Sequence, residues 1–141
     1  MIINHKYKFI FIHIPKCAGT SLATALYPYC NEHDTVLGCH PDAKEEIVEE
    51  DGFRIHKHSN AKEIKKYATP ERWGKYFVFT FVRHPVDRLI STYEWWKHTE
   101  GEWDRETKKI INEMSFKEFV FSEYTGLPQI DYLVSRGEGK E

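Results

Sequence analysis

The sequence has few of the features that mark a membrane, secreted or nucleic-acid-binding protein. Its 20 lysines and arginines are offset by 22 aspartates and glutamates, so the formal net charge of -2 gives no global attraction to nucleic acid. Three cysteines in 141 residues do not indicate a disulfide framework. The apolar run at residues 7–14 is too short for a membrane span and lacks a signal-peptide cleavage site. We therefore expect a cytoplasmic protein that binds anions only at a local site.

Internal repeats, low-complexity tracts and Gly/Ser/Pro-rich linkers are also missing, so we expect one domain over residues 1–141. A composition that is 40% hydrophobic and 15% aromatic is sufficient for a buried core and excludes a disordered chain. Residues 7–13 and 76–82 are almost entirely apolar, which is typical of strands buried on both faces of a parallel sheet. Helical patterns follow both segments, and this alternation predicts an α/β fold.

The helix predicted to begin near residue 85 carries an apolar stripe at helical spacing, which we expect to face the core. The members of this stripe are Val86, Leu89, Ile90, Tyr93 and Trp96. The other predicted elements have recognisable start signals. They are a helix at 43–50 capped by Asp42, a strand at 53–56, a helix at 60–67 capped by Ser59, a helical turn from Pro70, a helix at 104–113 and a helix to Phe121 opened by the capping box of Ser115 and Glu118.

The loop after the first predicted strand combines a cation, a glycine and two hydroxyl groups. These are Lys16, Gly19, Thr20 and Ser21. Backbone N–H groups at a helix start, together with the helix dipole, favour a phosphate or a similar anion at such a place. The alternative is a tight turn with a solvated lysine. The lysine precedes the glycine, so the loop is not the Gly-x4-Gly-Lys-Ser/Thr loop of nucleotide triphosphatases.

The loop after the second predicted strand carries Arg83, and the helix that follows it carries Arg88 and Ser91. A guanidinium group and a hydroxyl group together can bind a second phosphate, because arginine donates two parallel hydrogen bonds. The alternative is an arginine paired with a nearby carboxylate and an ordinary surface serine. Two anion-binding loops in one small domain favour the phosphate interpretation.

These two loops resemble those of the sulfotransferases. Residues 13–22, His-Ile-Pro-Lys-Cys-Ala-Gly-Thr-Ser-Leu, resemble the loop of that family that binds the 5′-phosphosulfate. Residues 81–93 resemble its 3′-phosphate motif, Arg-x-Pro-x-x-Arg-x-x-Ser-x-Tyr. The likeness is to the carbohydrate sulfotransferases, the family 2 branch. Cys17 stands where a threonine is usual in the family, and His84 where Asp or Asn is common.

The resemblance implies a P-loop-like three-layer domain, in which helices flank a central, mostly parallel sheet. It also implies an enzyme that transfers the sulfuryl group of 3′-phosphoadenosine 5′-phosphosulfate (PAPS) to a hydroxyl or amine of an acceptor, by in-line displacement. We expect the acceptor to be a small molecule or a carbohydrate, the product nucleotide to be 3′-phosphoadenosine 5′-phosphate (PAP), and no metal to be required.

The family roles carry over to matching positions of this sequence. The donor-binding set implied by the resemblance is Lys16, Cys17, Ala18, Gly19, Thr20 and Ser21 for the phosphosulfate, and Arg83, Arg88 and Ser91 for the 3′-phosphate. Lys16 would also neutralise the charge that develops on the leaving phosphate oxygen. This chemistry consists mainly of positioning and electrostatic stabilisation.

A catalytic base is expected among the eight histidines, because histidine titrates near neutral pH. Some relatives carry a histidine in this role between the two phosphate motifs. His58 is the first candidate and His56 the second, and the alternative is a surface histidine beside a helix cap. A glutamate base is a further alternative. We expect His13 to orient the phosphosulfate loop or to pack beneath it.

Several other interpretations remain open at this stage. Trp95 and Trp103 form either a stacking platform for a sugar or ordinary packing contacts. A zinc site from Cys30, His33, Cys39 and His40 matches no regular spacing. In the family a further strand and helix follow the segment that resembles residues 127–133, where this sequence has eight residues. The alternative functions are therefore a truncated, non-catalytic PAPS- or PAP-binding module, or a P-loop-like nucleotide kinase.

Overall fold

The structure is a computed structural model that describes residues 1–38, 47–50, 52–99 and 104–134. The chain divides into two compact units, one formed by Met1–Val82 with the segment from Pro128, the other by Arg83–Leu127. The single domain predicted over residues 1–141 stays a prediction. Across the described ranges, no helix has the length and apolar character that crossing a bilayer requires.

The described residues of the first unit form a four-stranded sheet, a two-stranded sheet and three α-helices. Its elements are β1 (Ile2–Asn4), β2 (Phe9–Ile12), α1 (Gly19–Leu26), β3 (Thr35–Val36), β4 (Ile47–Glu50), β5 (Phe53–His56), α2 (Ala61–Ala68), α3 (Pro70–Lys75) and β6 (Phe77–Thr80). The larger sheet has the strand order β3-β1-β2-β6, and β4 pairs with β5. The α/β class predicted from the sequence is thus confirmed.

The larger sheet is mixed, which corrects the expectation of a mostly parallel sheet. Among the described strands, only β2 and β6 run parallel, with Phe9 opposite Phe77 and Ile12 opposite Thr80. The pairs β1–β2 and β1–β3 are antiparallel. The sequence pattern missed β1, which four residues separate from β2, and a connection that short permits only antiparallel pairing. The P-loop-like three-layer arrangement stays a prediction.

Strand β2 is buried on both faces, as its continuous apolar run predicts. Ile10 and Ile12 pack in one core cluster with Ile64 of α2. Phe11 packs in a different cluster with Ala23 of α1. Since successive side chains of a strand point to opposite faces, helices of the first unit cover both sides of β2. Burial on both faces is wrong for the apolar run at 76–82, because β6 is the last strand in the sheet order and leaves Phe77 70% exposed.

Two predicted elements of the first unit need correction. The helix expected at 43–50 is wrong where the structure describes it, because residues 47–50 form β4, while 42–46 lie outside the described residues. The β-branched Val48 pairs with Ile55 of β5 and packs on the core, and Gly52 (φ 77°) supplies the left-handed backbone between the strands.

The cap predicted for α2 also needs correction. The helix is capped by Asn60, in a capping box with Glu63, rather than by Ser59. The strand at 53–56 and the helix opened by Pro70 are confirmed.

The described residues of the second unit include α4 (Pro85–His98), α5 (Arg105–Glu113) and α6 (Phe116–Val120), and the last two confirm the predicted helices. Its core contains Tyr93, Ile111 and Phe119. The predicted stripe of α4 is wrong in part, because Val86 and Ile90 are 50% and 43% exposed. Arg88 and Thr92 are buried in their place. Burial of these polar groups is tolerated because Arg88 Nη1 donates to the Leu127 carbonyl, at 3.0 Å, and Thr92 Oγ1 donates to the Arg88 carbonyl.

Asn4, at the end of β1, is a buried polar side chain with several hydrogen-bond partners. Its Nδ2 donates to the Tyr29 carbonyl at 2.9 Å and to Asp34 Oδ2 at 3.0 Å, and its Oδ1 accepts from the Tyr7 backbone N–H at 2.7 Å. The side chain is fully buried. It therefore joins the β1–β2 turn to the loop that leads into β3.

We predict that Asn4→Ala lowers the free energy of unfolding by about 3 kcal/mol, because three hydrogen bonds are lost and buried groups are left without partners. Urea unfolding measures the change. The control is Asn31→Ala, at an exposed position whose Oδ1 accepts one backbone hydrogen bond, from His33 N; its loss is expected below about 1 kcal/mol. Equal losses in the two variants would contradict the anchoring role of Asn4.

Candidate active site

The loop between β2 and α1 has an unusual backbone. Lys16 and Ala18 adopt positive φ angles of 62° and 60°, a region that non-glycine residues enter at a steric cost. Ala18 is left-handed and Gly19 begins the right-handed helix. When left-handed and right-handed residues alternate, successive backbone N–H groups point into one concavity, called a nest, which can bind an anion. Strained backbone of this type is concentrated at ligand sites.

The first turn of α1 carries backbone donors that no side chain caps. Ala18 is the N-cap residue and makes no side-chain cap hydrogen bond. The amide of Leu22 bonds the Ala18 carbonyl at 3.1 Å, so the amides of Gly19, Thr20 and Ser21 precede the first intrahelical hydrogen bond. The side chains of Thr20 and Ser21 are exposed. The helix start thus offers an anion several donors and the positive end of its dipole.

The imidazole of His13 excludes a side chain at position 19. A Cβ atom built on Gly19 would lie 1.9 Å from Cδ2 of His13, where no atom fits. His13 is 5% exposed, and its ring stacks on that of Phe11 with centroids 5.9 Å apart. The His13 ring therefore lies directly against the start of α1.

The Cys17 thiol is turned into the core of the first unit. Its Sγ donates to Gln129 Oε1 at 3.2 Å, and the residue packs with Ile14 and Tyr132. Only the backbone of Cys17 is therefore suited to the donor-binding part that the resemblance implies. The sequence pattern did not reveal the contact with Gln129, which lies 112 residues further along the chain.

His58 lies against His13 in a fixed orientation. Its Nδ1 is 2.9 Å from the His13 carbonyl oxygen, and the two rings meet edge to face with centroids 4.6 Å apart. A carbonyl oxygen only accepts hydrogen bonds, so Nδ1 of His58 carries the hydrogen and Nε2 carries the lone pair. Burial lowers the pKa of His58 to about 4 and that of His13 to about 3. Both rings are thus neutral at pH 7.

The remaining candidates of the second motif lie in the second unit. Arg83 is exposed just before α4, and Ser91 is half-buried nearly two turns into that helix. Arg88, by contrast, is 7% exposed and holds the Leu127 carbonyl. This hydrogen bond gives Arg88 a structural role, which the sequence did not reveal. The only signal in the sequence was that Arg88 and Thr92 share one helix face.

The structure describes part of the candidate stacking platform for a sugar. Trp95 and Trp96 are both half-buried and pack edge to face with centroids 5.0 Å apart, while Trp103 lies outside the described residues.

Of the candidate zinc ligands, Cys30 donates from its Sγ to the Leu26 carbonyl at 3.6 Å, and His33 is exposed. Cys39 and His40 lie outside the described residues. In the part of the chain that the structure describes, no group of three or more His, Cys, Asp or Glu side chains could hold a metal ion.

A family model described as "Sulfotransferase family" matches residues 1–131, a range that includes both of the motifs at 13–22 and 81–93. No curated protein and no solved structure matches the chain.

The lowered pKa values of His13 and His58 predict an acid-labile fold. Both values lie below the 6.5 expected in the unfolded chain. The stabilisation is therefore complete above about pH 6.5 and is lost as the pH falls toward the folded-state values. Between pH 6.5 and pH 5 each histidine should remove up to about 2 kcal/mol from the free energy of unfolding.

Urea unfolding at several pH values measures this slope. His58→Asn should reduce the slope by about half, because one of the two titrating groups is gone. The control is His33→Gln at an exposed position, which should keep the wild-type slope. A slope that His58→Asn leaves unchanged would contradict the buried, neutral state of His58.

Proposed function

The chain belongs to the sulfotransferase family, and we propose that it transfers the sulfuryl group of PAPS to a hydroxyl or amine of a carbohydrate acceptor. The observation that carries the proposal is the strained loop at residues 13–19, where an uncapped helix start lies against the neutral imidazole of His13, which in turn contacts the neutral imidazole of His58. Such a loop suits a doubly anionic phosphosulfate on one side and a proton acceptor on the other.

Donor binding is divided between the two motifs. Lys16 and the backbone amides of residues 17–21 bind the 5′-phosphosulfate, with the hydroxyls of Thr20 and Ser21 as further donors. Arg83 and Ser91 bind the 3′-phosphate. Arg88 contributes indirectly, because its hydrogen bond to Leu127 fixes the fold of the second unit behind the motif.

PAPS supplies the sulfuryl group, and the residues of the chain position it and move the proton. His58 Nε2 accepts the proton of the acceptor hydroxyl as the hydroxyl oxygen forms its bond to sulfur. The bond from sulfur to the bridging phosphate oxygen breaks, and its electron pair stays on that oxygen. Lys16 and the amides at the start of α1 stabilise this developing charge. The products are a sulfate ester, PAP and a protonated His58.

The 3′-phosphate assignment is tested by thermal unfolding with PAP, with AMP and with ATP and magnesium. A ligand at one hundred times its Kd stabilises a protein by about 2.7 kcal/mol. We expect a larger shift of Tm with PAP than with AMP in the wild type. Arg83→Ala should abolish this difference, since AMP lacks the group that Arg83 binds, and Arg72→Ala on α3 should preserve it. A greater shift with ATP and magnesium would favour the kinase alternative, and no shift with any nucleotide would overturn the proposal.

Lys16 is predicted to act mainly on the rate of transfer. Lys16→Ala should lower kcat by about 100-fold to 1,000-fold and change KM for PAPS less, because charge on the leaving oxygen develops in the transition state. Transfer of labelled sulfate from PAPS to a panel of carbohydrate acceptors measures the effect. Lys8→Ala is a matched control, because Lys8 also has a left-handed backbone, with φ 55°, but lies outside the loop. Equal turnover in the Lys16 and Lys8 variants would remove Lys16 from the mechanism.

A further inference from the structure

The segment from β5 to α2 is a tight turn held by three local hydrogen bonds. The Ser59 backbone N–H donates to the His56 carbonyl at 3.0 Å, and the His56 backbone N–H donates to Ser59 Oγ at 3.1 Å. The third bond joins the two candidate bases, because the backbone N–H of His58 donates to Nδ1 of His56 at 3.1 Å. Ser59 is buried, and Asn60 begins the capping box of α2.

The third bond fixes the protonation of the His56 ring. A backbone N–H can only donate, so Nδ1 of His56 carries a lone pair and the hydrogen of the neutral ring is on Nε2. The His58 ring has the opposite arrangement, because its Nδ1 faces the His13 carbonyl at 2.9 Å. The two histidines therefore differ at the outer nitrogen, where His58 can accept a proton and neutral His56 can only donate one.

We propose that His56 is a positioning residue and not a second base: its Nδ1 holds the backbone N–H of His58, and the turn so formed directs the unprotonated Nε2 of His58 to the acceptor. This assignment rests on the proposed function for its catalytic part. Its geometric part stands alone, because both hydrogen bonds belong to the unliganded protein. The contact from a side chain to the amide two residues on is the one that Asn makes in an Asx turn, so Asn at position 56 can replace it.

Nitrogen-15 NMR of the histidine rings in the full chain at pH 7.5, without ligand, tests the geometric part. We expect His58 to be protonated at Nδ1 and His56 at Nε2. His56→Leu should give His58 a mixture of both tautomers, and His56→Asn should restore the Nδ1-protonated form. The same tautomer at both rings, or a His58 signal that His56→Leu leaves unchanged, would overturn the positioning assignment whether or not the protein transfers sulfate.

Steady-state kinetics with PAPS and a carbohydrate acceptor test the catalytic part. His56→Leu should lower kcat by about tenfold to a hundredfold with KM for the acceptor unchanged, because a displaced base slows the chemical step and not binding. His56→Asn should recover most of that loss. A rise in KM alone would make His56 a substrate contact, and failure of Asn to recover activity would show that the hydrogen bond to the His58 amide is not what His56 contributes; either result overturns the proposal.

His58→Asn separates this inference from the proposed function. Asn retains a donor that can reach the His13 carbonyl but has no atom in place of Nε2, so kcat should fall by about 100-fold or more while the fold persists. Full activity in His58→Asn would overturn the base assignment of the proposed function and with it the catalytic part of this inference. The NMR result would still decide the geometric part.

Discussion

The close approach of α1 to the ring of His13 is the constraint on which the candidate site depends. Only a glycine at position 19 leaves room for the imidazole, so the helix can begin directly over the end of β2. The carbonyl of the same histidine accepts from Nδ1 of His58. One residue thus fixes the start of α1 with its side chain and the orientation of the candidate base with its backbone. The first contact forbids any side chain at position 19, and the second, at 2.9 Å, would be lost if the two groups moved an ångström apart.

Buried polar side chains complete the architecture around this point. Asn4 ties two loops to the edge of β1, Ser59 closes the turn before α2, and Arg88 fixes the last residue of the second unit. None of the buried side-chain nitrogen or oxygen atoms in the described parts of the chain is left without a hydrogen-bond partner. Buried polar groups help to specify a fold, rather than destabilise it, when all of them have hydrogen-bond partners.

Features that depend on residues close together in the sequence were predicted, whereas features that depend on contacts between distant residues were not. Strands β2 and β6, the Pro70 helix and the Ser115 capping box were predicted because their signals lie within a few residues. β1 was missed because three residues give no periodicity. The α4 stripe was partly wrong because a tertiary partner, the Leu127 carbonyl, decided which face is buried. In the candidate site, the loop at residues 13–22 is contiguous and was recognisable, whereas the contact between His13 and His58 joins residues 45 apart.

The low pKa of His58 bears on the timing of the proposed reaction. A base whose pKa is held at about 4 has little tendency to remove a proton from a sugar hydroxyl before the oxygen begins to bond. The hydroxyl therefore becomes acidic enough to lose its proton only as its bond to sulfur forms. In the reaction proposed above, proton transfer to His58 therefore accompanies formation of the bond to sulfur. The acceptor oxygen must then be aligned with both sulfur and Nε2 at once, so selectivity among hydroxyls of one sugar is a matter of orientation rather than of acidity.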